Sequence, residues 1–339
     1  MMAVTQSKQY NYCLDFMKGI ACLFVVWMHC EFPGRTGVIV QAISRFCVPF
    51  FFMVSGYFSS NVSKTATNER GLIINKKVIH IFKITLWASL FYLVWAITRH
   101  LVWCDKDLSV SVRQAAIWLV FNQPVIIGGH LWFLFALLYD YILVSAFDGK
   151  RIHNKQYLFG GVSLVLLFVL GQGLHLLGVR IPNFIYRNWL IEGLAFFMLG
   201  RWIKDKKDSV SISNTALIVI IAVSTFLCLV ERYYMGRDFG VNICTLPQVA
   251  ALFLYAVKNP ERHAGFLQRI GRDCSMLVYV VHIFVWGILI KVYDAIGIND
   301  NTLALYLLPI FVVIASILMA LLFNWIVSRF KKEPQKIGS

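Results

Sequence analysis

Charge is what this sequence has least of: 14% of its 339 residues are Asp, Glu, Lys or Arg, where a soluble domain carries about 25%. With 59% hydrophobic residues and a mean hydropathy of +0.69, that scarcity excludes an ordinary water-soluble domain. It points to a chain that crosses a membrane many times. The eight cysteines (Cys13, Cys22, Cys30, Cys47, Cys104, Cys228, Cys244, Cys274) form no CxxC pair and no Cys/His ligand spacing. Most lie inside apolar runs and read as small packing residues, so neither a disulfide framework nor a metal site is expected. No internal repeat or low-complexity tract is evident. A cleavable leader is not expected either, because the first apolar run is followed by Glu31-Phe32-Pro33 rather than by small residues.

What is present is a series of apolar segments long enough, or nearly so, to span a bilayer. Ten can be placed, at roughly 14–30, 38–59, 79–98, 131–147, 157–178, 188–203, 214–230, 240–257, 274–292 and 303–327. The formal charge of +15 could suggest nucleic acid, but its distribution argues against that partner. Lys and Arg near positions 8, 64–77, 150–155, 201–207, 258–272 and 329–336 number twenty, against nine near 35, 99–113, 180–187, 232–237 and 291. The alternation follows the positive-inside rule, which places both termini in the cytoplasm and agrees with an even number of spans. The expected fold is an all-α polytopic bundle of about ten transmembrane helices, a single membrane domain over residues 1–339. The longest connection, about 99–130, holds an amphipathic patch that could lie along the outer surface.

Ionisable side chains inside a bilayer are costly and usually mark function. On a helix, Lys18 and His29 are eleven residues and about 1100° apart, so they share a face some 16 Å apart along the axis. Asp15, three residues before Lys18, is close enough to pair with it. Helix direction puts Asp15 and Lys18 near the cytoplasmic face and His29 near the outer end. In the second segment Arg45 lies about 10 Å inside the outer boundary. Pro49 frees a backbone carbonyl there, and Ser55-Gly56 lets another helix approach closely. His130 and Trp132 open the fourth segment, Arg187 and Asn188 open the sixth, Glu192 lies a turn further in, and His282 is near the midplane. The bland readings are an interfacial ring for His130, a backbone-bonded core ring for His282, an Arg45–Glu192 structural pair and a snorkelling Lys18. His29 resists such a reading best, since it shares its stripe with Lys18 and its depth with Arg45 and Glu192. A neutral imidazole suits a general base for a hydroxyl acceptor. A buried carboxylate such as Glu192 could orient it, a guanidinium fork such as Arg45 suits an oxyanion or phosphate, and Lys18 could meet an anionic group from the cytoplasm.

The stretches LDFMKGIACLFVVWMHC, SRFCVPFFFMVSGYF, HLWFLFALL, RNWLIEGLAFFMLG and GRDCSMLVYVVH, in that order, resemble the acyltransferase 3 family of bacterial integral membrane proteins. Stand-alone members that O-acetylate surface polysaccharides are the most similar. The resemblance covers nearly the whole chain. It implies transfer of an acyl group, usually acetyl from cytoplasmic acetyl-CoA, to a sugar hydroxyl across the inner membrane. Acetyl-CoA would be a cosubstrate, with no permanently bound cofactor, and the partners would be the acyl-CoA donor, a glycan acceptor and membrane lipid. The family's helix-1 pair, a basic residue and a histidine, maps to Lys18 and His29, with His29 as the catalytic base. The basic residue is usually arginine; lysine keeps the charge for a CoA phosphate but loses the bidentate fork. The arginine and proline of the second motif map to Arg45 and Pro49. Catalytic roles therefore fall to His29, Glu192 and Arg45, and donor binding to Lys18 and Arg45. Accessory or acceptor roles fall to His130, Trp132, Arg187, Asn188 and His282, and structural ones to Asp15, Pro49, Ser55 and Gly56.

Two other readings use the same residues. A transporter or flippase for a lipid-linked sugar or amino acid could employ the buried charges, but there is no inverted repeat and no matched pair of Gly/Pro-broken segments. A membrane module like that fused to serine racemases of glycopeptide-resistance systems ranks lower, because no racemase domain follows.

Overall fold

The computed structural model describes residues 10–59, 67–149 and 155–330. In chain order the helices are α1 (Tyr12–His29), α2 (Gly34–Ser44), α3 (Cys47–Ser59), α4 (Thr67–Thr98), α5 (Val112–Phe121), α6 (Trp132–Gly149) and α7 (Gln156–Phe168). They continue with the short α8 (Leu174–Leu176), α9 (Leu194–Lys206), α10 (Asn214–Met235), α11 (Thr245–Lys258), α12 (Phe266–Asp273), α13 (Ser275–Ile296) and α14 (Thr302–Phe330). No strand occurs among the described residues. Lys8, Lys64, Lys150, Arg151, Lys331, Lys332 and Lys336, counted above for topology, lie outside them.

Among the described residues, eight helical stretches are long and apolar enough to span a membrane: 12–29, 34–59, 76–103, 129–147, 156–176, 214–235, 275–296 and 302–330. The protein is an all-α polytopic bundle. The two remaining apolar segments are helical but differ in kind. Residues 189–206 form a π-turn (Trp189–Gly193) followed by α9, and Glu192, Arg201, Lys204, Asp205 and Lys206 interrupt their hydropathy. α11 has only 14 residues, about 21 Å at 1.5 Å per residue. In the long connection, α5 starts on a capping box between Ser111 and Gln114, and its Val112, Leu119 and Val120 are exposed.

The chain forms two compact units. One comprises the residues up to Cys47, Ser213–Val230 and the chain from Pro247 onward; the other comprises Val48–Ile212 and Glu231–Leu246. In the first, α1 packs on α2, α12, α13 and α14. Cys22 and Val26 of α1, with Cys30 at its end, join Val278, Val281 and Val285 of α13 and Val312 and Ile317 of α14 in an apolar core. Gly19 and Gly271 let α1 and α12 touch backbone to backbone: a Cβ on either would overlap a carbonyl of the other helix.

In the second unit α3 crosses α9 antiparallel. A Cβ on Gly56 would strike the Phe197 carbonyl, and one on Gly200 would strike that of Met53. Gly56 thus sits at a close helix approach of the kind its Ser-Gly context predicts. Ser55 instead turns its hydroxyl to the Phe51 carbonyl at 3.0 Å, and its own carbonyl accepts the Tyr141 hydroxyl at 3.3 Å.

Candidate active site

In the first unit the candidate groups lie along α1. The helix starts where Asn11 Oδ1 accepts the Leu14 N–H at 2.7 Å. One turn later Lys18 Nζ donates to Asp15 Oδ1 at 2.8 Å, and both side chains are largely buried. The Tyr10 hydroxyl donates to the other Asp15 oxygen. One ammonium N–H is therefore committed to Asp15, and two remain for an incoming anion. The neighbouring α12 end carries more positive charge. Arg272 grips Asp273 through Nε–Oδ1 and Nη2–Oδ2 contacts of 2.7 Å each. That fork holds the Asp273 carboxyl below the usual carboxylate range, with Lys18 and Arg269 reinforcing the effect.

His29 is the last residue of α1. Cys22 Sγ lies 3.8 Å from the Ser275 carbonyl, and the His29 and His282 ring centroids are 5.1 Å apart at 44°. Each ring lies seven residues beyond that contact, so α1 and α13 run in parallel with their imidazoles level. This corrects the depths inferred from segment ends, which set His29 near the outer boundary and His282 near the midplane. The reason is α12: it occupies the space beside the first half of α1, so α13 begins nearly three turns up, at Ser275 beside Cys22. His282 is fully buried. Its Nδ1 lies 3.1 Å from the Val278 carbonyl and 2.8 Å from that of Tyr279.

Arg45 sits in a break of the second span. Pro49 has no N–H for the Arg45 carbonyl, so α2 ends at Ser44 and the helix restarts at Cys47. The break turns the 7%-exposed Arg45 side chain inward. Its Nη1 lies 3.6 Å from Met28 Sδ, beside the turn of α1 that carries His29. His29, Arg45 and His282 are thus gathered around one end of α1, and Lys18 with Asp15 lies toward the other.

The second unit gathers most of the others. Asn188 caps the π-turn: Oδ1 accepts from Leu190 N at 3.0 Å and Ile191 N at 3.1 Å, while Nδ2 donates to the Phe184 and Ile185 carbonyls. Its amide bonds to backbone on both sides, so Asn188 builds the turn. Glu192, buried in that turn, lies 3.6 Å from Arg187 Nε. The Arg187 guanidinium lies 5.5 Å from the Trp132 ring centroid. His130 is buried edge-on to Tyr92, with centroids 4.6 Å apart.

Two residues here escaped the sequence reading. Asn122, fully buried, donates to the Trp132 carbonyl and accepts from Trp189 N, both at 2.8 Å, tying the start of α6 to the π-turn. Asp140 is fully buried on α6, and neither carboxyl oxygen has a hydrogen-bond partner among the described residues. A Cβ on Gly193 would lie 2.6 Å from Asp140 Oδ2, so the carboxyl is pressed against the turn that holds Glu192. Its signal in the sequence was plain, an aspartate inside the apolar run WFLFALLYDYIL.

Over residues 11–329 the sequence matches the acyltransferase domain of the acyltransferase 3 family. The chain belongs to that family. It is similar to a serine/alanine racemase of Enterococcus gallinarum, with 25% identity covering 91% of this chain and 45% of the racemase. It is also similar to two amino-acid racemases of Enterococcus faecalis, 23% and 21% identical, over 96% and 98% of this chain and 47% of each racemase. The chain spans a little under half the length of these relatives. No solved structure matches it. Family and fold together make this a multi-pass membrane protein of the acyltransferase class.

Proposed function

We propose that the protein transfers an acetyl group from cytoplasmic acetyl-CoA to a sugar hydroxyl of a lipid-linked or cell-surface glycan, acting in a bacterial inner membrane with both termini cytoplasmic. The observation that carries this reading is the arrangement on α1, with an ammonium toward one end and, at the other, an imidazole with Arg45 beside it. His29 takes the proton of the acceptor hydroxyl as its oxygen attacks the thioester carbonyl, then returns that proton to the departing CoA sulfur. Arg45 donates to the oxyanion of the tetrahedral intermediate. Lys18 binds a phosphate of the donor through the N–H groups that Asp15 leaves available.

The test is a reconstituted protein supplied with radiolabelled acetyl-CoA and membrane glycan, with mass spectrometry of the glycan. Wild type should add one acetyl mass increment, and His29→Ala should not while reaching the membrane normally. Near-normal acetylation by His29→Ala would end the mechanism. The racemase relatives favour a second reading, in which the module handles an amino acid. Uptake or acetylation of labelled serine, without acetyl transfer to glycan, would favour it.

A further inference from the structure

We infer that Arg187 forms an anion site, a fixed guanidinium fork for a carboxylate or phosphate group of the glycan acceptor; the source of that ligand rests on the reading of the protein as a glycan acetyltransferase. The site is built within the second unit. The backbone of Arg187 is pinned twice: its carbonyl accepts Gln123 Nε2 and its N–H donates to the Asn183 carbonyl, both at 2.8 Å. The side chain then passes Gly240, in a turn where Asp238 Oδ1 accepts the Gly240 N–H at 2.9 Å. Gly240 has φ +80°, and a Cβ there would overlap Nε and Cδ of Arg187, so both the turn and the path of the arm require glycine. The guanidinium comes to rest by the Trp132 ring, 5.5 Å from its centroid.

Held in this way, the fork keeps its donors unspent. Nε is buried 3.6 Å from Glu192 Oε2, too far for a hydrogen bond. Among the described residues, none of the guanidinium N–H groups makes a hydrogen bond. The side chain is 26% exposed, and with Nε buried the exposed part includes the terminal nitrogens. An arginine serving only as the counter-ion of a carboxylate closes its fork on it, as Arg272 does on Asp273 with two contacts of 2.7 Å. Arg237 likewise spends Nη2 on Asn183 Oδ1 at 2.8 Å. Glu192 instead faces the Nε edge of Arg187 and leaves the two terminal nitrogens for an oxyanion, which a planar fork binds through two parallel N–H···O bonds. Because the arm is already ordered, binding loses little side-chain entropy. A carboxylate and a phosphate present the same pair of acceptor oxygens, so acidic sugars and sugar phosphates fit the site and neutral sugars do not.

The experiment uses the full-length protein in phosphatidylcholine nanodiscs, whose headgroups carry no net charge. Binding of radiolabelled glucuronate, glucose 1-phosphate and glucose is measured for wild type, Arg187→Lys, Arg187→Gln and Gly240→Ala. Wild type should bind at least one of the anions saturably and glucose about tenfold more weakly or worse. The tighter of the two anions tells a carboxylate-bearing acceptor from a phosphate-bearing one. Arg187→Lys keeps the charge beside Glu192 but loses the fork, and should weaken anion binding about tenfold; Arg187→Gln should weaken it about 10- to 100-fold. Gly240→Ala, which displaces the arm with every charge intact, should weaken it as well. Arg187→Lys decides the matter even if the other two variants fail to fold. No saturable anion binding by wild type, equal affinity for glucose, or an Arg187→Lys affinity within about twofold of wild type would overturn the inference. If wild type binds an anion through Arg187 yet acetylates no glycan, the proposed function falls and the anion site stands. If wild type acetylates glycan and Arg187→Lys binds anions as wild type does, only the present inference falls.

Discussion

Replacing Gly193 by alanine tests how tightly the second unit holds the turn that carries Glu192. The added Cβ would lie 2.6 Å from Asp140 Oδ2 and 3.3 Å from Phe52 Cε1, against an ordinary separation of about 3.5 Å or more. Both neighbours are fully buried, so the turn must shift by most of an ångström, at an overpacking cost of about 1–3 kcal/mol. Asp140→Ala removes the nearer obstacle, and because the carboxyl oxygens have no hydrogen-bond partner among the described residues, it breaks none of their bonds in doing so. Combined with Asp140→Ala, Gly193→Ala should therefore cost much less than alone, with a coupling energy of about 1–2 kcal/mol. Thermal melting of the four detergent-solubilised proteins reads this, at about 2–4 °C per kcal/mol. A Gly193→Ala protein that melts with wild type, or costs that add within about 0.5 kcal/mol, would refute the reasoning.

Lys18→Arg should keep donor use, and Lys18→Ala should raise the KM for acetyl-CoA several-fold in a steady-state assay; an unchanged KM would remove the phosphate role. Gly56→Val should lower the melting temperature by several degrees, since its side chain would meet the Phe197 backbone, whereas Ser55→Ala should change it little. Asn122→Ala removes two buried hydrogen bonds and should cost about 1–3 kcal/mol, measured as a melting shift. Asp273, held below the usual carboxylate range by Arg272, contributes stability present above the unfolded-state value and lost as pH falls through the lowered one. Because the pair is nearly half exposed, the effect is small. Arg272→Ala should flatten that acid dependence in melting curves taken across the carboxylate range.

The sequence alone determined the class of protein and the local geometry of single helices. Scarce charge and ten apolar segments required a helical membrane bundle, because a lipid-facing backbone must satisfy its own hydrogen bonds. Helical period put Lys18 and His29 on one stripe, Pro49 marked the break at Arg45, and Gly56 marked a close crossing. What only the tertiary structure decided is which helices lie beside one another and at what offset. Periodicity gives phase within a helix and carries no information on how far its neighbour is shifted along the axis. The short α12 lifts α13 by nearly three turns, and that offset makes His282 a neighbour of His29. Likewise the π-turn at Trp189–Gly193 lies outside a 3.6-residue period, so the facing of Glu192 toward Arg187 and the pressure of Asp140 on Gly193 emerge only from packing.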